Sequence, residues 1–201
     1  MAKLKAPLLS LGASGQLGKT IVHFNWKGLN VVREYVVPTN PNTSGQSTQR
    51  GYVTAAVANI HAVIQMASHP LSAADKIALA LWGSTFPTPR TWFNVSVKNW
   101  VDQKVAGLLG FNMTDGTTTP GAGQLAASIW AIGDDVTAGR VYWGTSKTCS
   151  SGWVATADAA GHHTATITGL TAGTKYYWQF VATGPANYVG IKSGVYYGTP
   201  T

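Results

Sequence analysis

The sequence predicts an α+β N-terminal domain followed by an all-β sandwich. Alternating apolar residues around a turn indicate a β-hairpin over residues 20–37, and apolar residues at helical spacing indicate about three helices after it. Six short strand candidates then follow a segment rich in Thr, Gly and Pro. We therefore expect a hairpin-plus-helices anchoring domain at 1–112, a linker at 113–123 and a β-sandwich at 124–201.

The composition favours a folded protein without a membrane span. Hydrophobic residues make up 45% of the 201 residues and charged residues 10%, so the chain can bury a core. No stretch reaches the roughly 18 apolar residues that a membrane helix needs, and the start of the chain lacks the apolar region of a signal peptide. We expect a soluble protein that is made in a cytoplasm and has no membrane partner.

The formal charge of +7 is concentrated in the first part of the chain. Residues 1–120 carry ten Lys and Arg against four Asp and Glu, a balance of +6, whereas residues 121–201 carry four against three, a balance of +1. This excess fits an acidic partner surface, but it also fits a solvated surface. The cations are scattered and not clustered in a groove with aromatic residues, which argues against a nucleic-acid partner.

The stretch ASGQLGKT, residues 13–20, has the spacing of a nucleotide-binding phosphate loop. Such a loop is followed by a helix, whose N-terminus helps to hold the phosphates. Here TIVHFNW follows, which is rich in β-branched and aromatic residues and places Phe24 and Trp26 on one face of a strand. A Lys-Gly turn then leads into a return strand over residues 29–37. We therefore interpret Gly-Lys-Thr as the start of a hairpin and not as a nucleotide site.

Three helices are expected after the hairpin. The first begins at a capping residue within 42–44 and ends near Ser68. The second begins at Ser72, where Asp75 completes a capping box, and the third follows Pro89. Their predicted apolar stripes consist of Val53, Val57, Ile60 and Ile64, then Ile77, Leu81 and Trp82, and finally Phe93, Val97, Trp100 and Val105.

The C-terminal part alternates short strands with Gly-containing turns. The strand candidates cover residues 126–135, 139–146, 152–158, 162–170, 174–183 and 193–199. This regular spacing predicts a β-sandwich. In the fifth candidate Tyr176, Trp178 and Phe180 point to one side of the strand, so we expect them in the core of the sandwich.

The stretch LTAGTKY, from Leu170 to Tyr176, resembles the turn-to-strand signature of fibronectin type III domains. By this resemblance Leu170 plugs the core, and the Tyr176 hydroxyl bonds to the upstream backbone at a tyrosine corner. VYWGT at residues 141–145 resembles the central strand of the same family, which implies a core position for Trp143. The likeness covers roughly residues 118–201 and implies an immunoglobulin-like, fibronectin type III sandwich that sits on surfaces, but it implies no chemistry.

The N-terminal half resembles a pattern in structural proteins of tailed bacteriophages and prophages. The triplets GKT and WKG, then Arg33 and the run PTNPNTSGQSTQR at residues 38–50, carry this likeness, which covers about residues 8–105. The cations in these motifs suit contacts with acidic groups, because Arg binds carboxylates bidentately. The candidate assembly contacts are Trp26, Lys27, Arg33, Asn40 and Arg50.

The sequence offers no catalytic or metal-binding constellation. No two histidines have the spacing of three or four residues that a helix needs to share a metal, and the adjacent His162 and His163 face opposite sides of a strand. Asp134 and Asp135 lie together in a predicted turn. The single cysteine, Cys149, also lies in a predicted turn and forms no intramolecular disulfide. We expect no enzyme, no cofactor and no metal site.

A structural protein of a virion is the favoured function. We expect an auxiliary or decoration protein on a bacteriophage capsid, whose N-terminal domain binds the major capsid protein and copies of itself while the sandwich projects. A tail, neck or baseplate component is an alternative. A second class is a module that binds carbohydrate or host-surface glycans through exposed Trp153, Tyr188, Tyr196 or Tyr197, and a nucleic-acid-binding protein is the third.

Overall fold

The computed structural model describes residues 2–3, 15–37, 39, 42–110, 112–132 and 136–201. The fold is mixed α+β, with helices and antiparallel sheets. The chain divides into two compact units, residues 1–43 and 44–201, which we call the N-terminal unit and the C-terminal unit. This division differs from the predicted domains at 1–112 and 124–201, because the helices belong to the C-terminal unit.

A four-stranded antiparallel sheet forms the described part of the N-terminal unit. Its strands are β1 (Ala2–Lys3), β2 (Gly15–Leu17), β3 (Ile21–Trp26) and β4 (Leu29–Glu34), in the order β1-β4-β3-β2. The predicted hairpin is confirmed, since β3 and β4 pair along their whole length. Lys27 and Gly28 between them have φ of 49° and 79°, as a two-residue hairpin turn of type I′ requires.

The Gly-Lys-Thr stretch is the hairpin turn between β2 and β3. Gly18 and Lys19 both have φ of 54°, and the Thr20 amide donates to the Leu17 carbonyl oxygen at 3.0 Å. These are the features of a second type I′ turn. A strand follows directly where a phosphate loop needs a helix, so the hairpin interpretation is confirmed.

The helices of the C-terminal unit are α1 (Ser44–Ile64), α2 (Ala73–Gly83) and α3 (Trp92–Val105). The predicted capping box is confirmed: the Asp75 amide donates to Ser72 Oγ at 3.1 Å, and the Ser72 amide donates to Asp75 Oδ2 at 2.9 Å. Thr91 caps α3, because its hydroxyl oxygen accepts from the Asn94 amide at 3.3 Å.

The buried faces of the helices agree with the predicted stripes only in part: Ile60 of α1 and Trp100 of α3 are buried as predicted, whereas none of the predicted residues of α2 is fully buried. The buried residues are Ala56, Ile60 and Val63 of α1, Asp75, Ala78, Leu79 and Gly83 of α2, and Val95, Ser96, Trp100 and Gln103 of α3. The predicted Val53, Ile77 and Val105 are instead 45%, 55% and 58% exposed. On α2 the small Ala78 faces the segment before β12: the Val195 amide donates to its carbonyl oxygen at 2.9 Å, and a Cβ on Gly194 would lie 2.8 Å from the Ala78 Cβ.

The segment predicted as a linker at 113–123 is a strand, β5 (Met113–Gly121). It pairs with β6 (Gln124–Ala131) in antiparallel register. The linker prediction is wrong because the threonines favour extended backbone and Pro120 is tolerated in a strand at the edge of a sheet. Its polar composition reflects that outer edge and not a lack of structure.

Two four-stranded antiparallel sheets complete the C-terminal unit. Sheet I has the order β5-β6-β10-β9, and sheet II has the order β12-β11-β7-β8. The further strands are β7 (Ala138–Gly144), β8 (Gly152–Ala155), β9 (Ala157–Ala159), β10 (His162–Thr168), β11 (Tyr176–Gly184) and β12 (Tyr196–Gly198). Each of the six predicted strand regions contains a strand, and the region 152–158 is divided between β8 and β9.

Residues of both sheets share one hydrophobic core. Trp178 and Phe180 are fully buried, Leu170 and Tyr176 are buried, and Trp143 packs against this core from a partly buried position. The Tyr176 hydroxyl oxygen accepts a hydrogen bond from the Thr171 amide at 3.2 Å. This is the bond to the upstream backbone that the sequence resemblance implies for Tyr176.

Candidate assembly surface

The N-terminal unit exposes most of its described apolar side chains. Among its described residues, Val31 is the only hydrophobic side chain that is buried. The exposed large apolar residues, between 38% and 68% accessible, are Leu17, Ile21, Trp26, Leu29, Val36 and Val37. This amount of exposed apolar side chain suits a contact with a protein or a ligand.

Strand pairing puts apolar residues on both faces of this sheet. Residues directly opposite in an antiparallel pair share a face. Trp26 lies opposite Leu29 on one face, and Leu17 lies opposite Ile21 on the other. A sheet of a few short strands is stable only when a face is covered, and about 40 residues are too few to build a sufficient core. The geometry therefore suits association with another protein surface.

Three of the five predicted assembly contacts lie on this sheet. Trp26 is 51% exposed at the end of β3, and Lys27 lies in the adjacent turn. Arg33 is exposed on β4, on the same face as Trp26, with its guanidinium 5.4 Å from the centre of the Phe24 ring. A large apolar residue flanked by cations is suited to a partner surface that is apolar at its centre and acidic at its rim.

The other two predicted contacts have different outcomes. Asn40 lies outside the described residues. Arg50 is an exposed residue of α1 and belongs to the C-terminal unit, so it is not part of the N-terminal sheet.

The sequence analysis missed the apolar residues on the second face and after β4. Leu17 and Ile21 flank Gly18, Lys19 and Thr20, and residues on the two sides of a three-residue hairpin loop are partners across the strands. Val36 and Val37 form a consecutive apolar pair, so at least one of them cannot face the same side as the rest of the strand. Both signals are present in the sequence.

A buried carboxylate joins the helices of the C-terminal unit to its sheets. Asp75 is 0% exposed. Its Oδ2 accepts from the Ser72 amide at 2.9 Å, the Ser72 hydroxyl at 2.7 Å and the Asp115 amide at 3.0 Å. Its Oδ1 accepts from the Gly116 amide at 3.0 Å and the Tyr196 hydroxyl at 2.7 Å. Because both oxygens accept hydrogen bonds from groups of the fold, this carboxylate serves as the centre of a structural hydrogen-bond network and not as an acid or base.

Tyr196 belongs to the same hydrogen-bond network. Burial, and next the negative charge of Asp75, raise the pKa of the Tyr196 hydroxyl well above its usual value, which keeps it a neutral donor. Its ring stacks on Trp178 with a centroid separation of 4.6 Å. Tyr196 and Tyr188 are each only 6% exposed. The prediction that they stack on sugars is therefore wrong, because their rings fill the core.

The side chains of His69, Trp130 and His162 form a second cluster beside this hydrogen-bond network. His69 Nδ1 lies 2.7 Å from Asp115 Oδ2, and the His69 ring stacks on Trp130 at 3.9 Å. Trp130 also stacks with His162, at 4.6 Å. The neighbouring His163 is buried on the opposite side of β10, as predicted, and burial lowers its pKa. Among the residues that the structure describes, no three His, Cys, Asp or Glu side chains are grouped to hold a metal ion.

Cys149 is a protected thiol. Its residue is 3% exposed, and its amide donates to the Ser146 carbonyl oxygen at 3.1 Å in a turn. Burial raises the pKa of the thiol to about 12. Because the thiolate is the reactive form, this environment suppresses nucleophilic chemistry at Cys149.

Comparison with known proteins does not assign the chain to a family. No family model matches it, and neither a curated protein nor a solved structure is significantly similar to it. In the described part of the chain, no helix has the length and apolar character needed to cross a membrane.

Proposed function

We propose that the protein is a non-enzymatic structural protein of a bacteriophage virion, an auxiliary or decoration protein anchored on the capsid. The observation that carries this function is the exposed apolar sheet of the N-terminal unit, whose described residues bury a single hydrophobic side chain. In this role the N-terminal unit binds the major capsid protein and neighbouring copies. The C-terminal unit then faces outward.

The charge of the N-terminal unit supports an acidic partner surface. Residues 1–43 carry five Lys and Arg and one Glu, a balance of +4. Lys27 and Arg33 flank Trp26 on or beside one face of the sheet. Charge complementarity of this kind orients partners and speeds their encounter, while the apolar residues supply the burial that makes the contact stable.

The finer fold that we propose for the C-terminal unit is an immunoglobulin-like sandwich of the fibronectin type III kind. The order β5-β6-β10-β9 corresponds to strands A-B-E-D, and β12-β11-β7-β8 corresponds to G-F-C-C′. The hydrogen bond from the Thr171 amide to the Tyr176 hydroxyl supports the same assignment. This fold by itself implies no chemistry, and it is compatible with a surface role.

Self-association and particle binding test this function together. The molar mass of the purified chain is measured by light scattering after size exclusion. Its binding to particles is measured by co-sedimentation with phage heads and with phage tails that were assembled without it. We expect oligomers and co-sedimentation with heads. The double variant Trp26→Ser, Leu29→Ser removes two exposed apolar side chains and should weaken both, and Arg33→Glu should weaken head binding by reversing one charge.

The matched control is the double variant Ile77→Ser, Val105→Ser, which removes two equally exposed apolar side chains from helices of the C-terminal unit. It should associate as the wild type does. Co-sedimentation with tails in place of heads would move the protein to the tail, neck or baseplate. A wild-type chain that stays monomeric and binds neither particle overturns the proposal.

A further inference from the structure

Sheet II carries a band of aromatic side chains on its outer face. Tyr177 of β11 lies opposite Tyr197 of β12, with ring centroids 6.3 Å apart, and Tyr142 of β7 lies opposite Trp153 of β8. These positions alternate with the buried residues of the same strands and therefore face away from the core. Trp153 is 51% exposed and Tyr197 is 46% exposed. The band crosses all four strands of the sheet.

Cations accompany these rings. The Arg140 guanidinium lies 3.9 Å from the centre of the Trp153 ring, and the Lys175 ammonium lies 3.7 Å from that of Tyr197. Lys192 is exposed, and its backbone forms an isolated β-bridge with Val181 of β11. In the sequence from residue 136 to 201 the only acidic side chain is Asp158, and that residue lies in β9 of sheet I. Asp102 and Lys98 of α3, which pair with each other, line a second cavity with Lys192. The charged groups that accompany the rings themselves, Arg140 and Lys175, are cations, so the outer face of sheet II suits an anionic partner.

A cavity opens into this face beside Tyr142. Its volume is about 210 Å³, and it is lined by Tyr142, Thr148, Cys149, Gln179, Val181 and Lys192. It is smaller than the roughly 300–1,000 Å³ pockets that take drug-sized molecules. Hydroxyl, amide and ammonium groups share the wall with an aromatic ring, an arrangement that suits a small polyhydroxylated ring with a negative charge.

We propose that the outer face of sheet II binds an acidic polysaccharide, with one carboxylated sugar in the cavity beside Tyr142. Sugar rings present C–H groups that pack on aromatic faces, while their hydroxyls bond to polar side chains. Lys192 lines the cavity and supplies the charge that pairs with a carboxylate there, and Arg140 beside Trp153 binds a second carboxylate along the polymer. Trp153 and Tyr197, the most exposed rings, stack on the neighbouring sugars.

Binding of a short oligogalacturonate to the full chain tests this inference. By isothermal calorimetry we expect saturable binding that weakens as salt is raised. A neutral malto-oligosaccharide of the same length should bind at least about tenfold more weakly, because it lacks the charge-assisted contacts. Trp153→Ala and Lys192→Ala should each lower the affinity, and Arg140→Gln should lower it while flattening the salt dependence.

Arg90→Gln is the matched control, because the Arg90 guanidinium also lies over an aromatic ring, that of Phe86 at 4.9 Å, but Arg90 belongs to no strand of sheet II and does not line the cavity beside Tyr142. This variant should bind as the wild type does. Circular dichroism confirms that each variant is folded. Absence of oligogalacturonate binding, equal binding of single-stranded DNA or polyglutamate, or an equal loss in Arg90→Gln would each overturn the proposal. The face lies in the C-terminal unit, so this result is separable from capsid binding.

Discussion

The two units of the chain use the same kind of strand residue in opposite ways. In the C-terminal unit Leu125 and Trp178 are 0% exposed, whereas Leu29 and Trp26 of the N-terminal unit are 45% and 51% exposed. Both pairs lie on antiparallel strands with apolar alternation. The comparison shows that apolar strand residues are buried where a second layer covers them, whereas most of the described apolar residues of the N-terminal sheet are exposed.

The covering layers of the C-terminal unit are held by specific polar contacts. Asp75 links α2 to β5 and β12, and Ser193 Oγ accepts from the Phe180 amide at 3.0 Å. These bonds fix how helices and sheets meet, because a buried polar group without its partner is costly. The following variants test whether the two units differ in this way.

The largest expected effect comes from removing the buried carboxylate of the C-terminal unit. Asp75→Ala leaves the Tyr196 hydroxyl and the amides of Asp115 and Gly116 without their acceptor. We expect the free energy of unfolding of the C-terminal unit to fall by about 3–5 kcal/mol, the cost of breaking a buried charged network. Urea unfolding followed by near-ultraviolet circular dichroism measures this loss.

Asp102→Asn is the control for that variant. Asp102 forms an exposed ion pair with Lys98 one turn earlier in α3, and such pairs contribute about 0.3–0.5 kcal/mol. A loss of similar size in Asp75→Ala and Asp102→Asn would show that the buried carboxylate does not hold the layers together.

One substitution made in both units sharpens the comparison. Leu125→Ala creates a cavity at a fully buried position, and we expect a loss of about 2–5 kcal/mol in the free energy of unfolding. Leu29→Ala, at an exposed position, should change it by less than about 0.5 kcal/mol while weakening self-association. Urea unfolding and light scattering on the same samples measure the two effects. Equal stability losses would show that Leu29 belongs to a core of the chain itself.

Two glycines of the C-terminal unit have opposite expected effects of intermediate size. A Cβ on Gly139 would lie 2.2 Å from ring atoms of Phe180, so Gly139→Ala should lose about 1–3 kcal/mol through overpacking. Gly51 lies within α1 with open space around it, and Gly51→Ala should gain about 0.5–1 kcal/mol through helix propensity. Opposite shifts of the melting temperature are the expected result, and a raised melting temperature in Gly139→Ala would contradict the tight packing between β7 and β11.

Local chemistry made several features predictable. The hairpin of β3 and β4, the capping box of Ser72 and Asp75, and the alternation of Tyr176, Trp178 and Phe180 each depend on residues within a few positions of one another. The linker prediction failed because a threonine-rich edge strand and an irregular segment have similar composition. The prediction of the buried helix faces was wrong in part for a different reason, since the surface against which each helix packs decides which face is buried.

The sequence by itself determined the hairpin of β3 and β4, the strand regions after β5 and the helix caps, because backbone conformation responds to β-branching, to glycine and to side chains that bond to nearby amides. It also placed Trp26, Lys27 and Arg33 near one hairpin. Only the tertiary structure decided that Asp75 meets Tyr196 across 121 positions, that Tyr196 is buried while Tyr197 is exposed, and that the described residues of the N-terminal unit bury a single hydrophobic side chain. Burial depends on which distant surfaces meet, and contacts of that range leave no periodic signal in the chain.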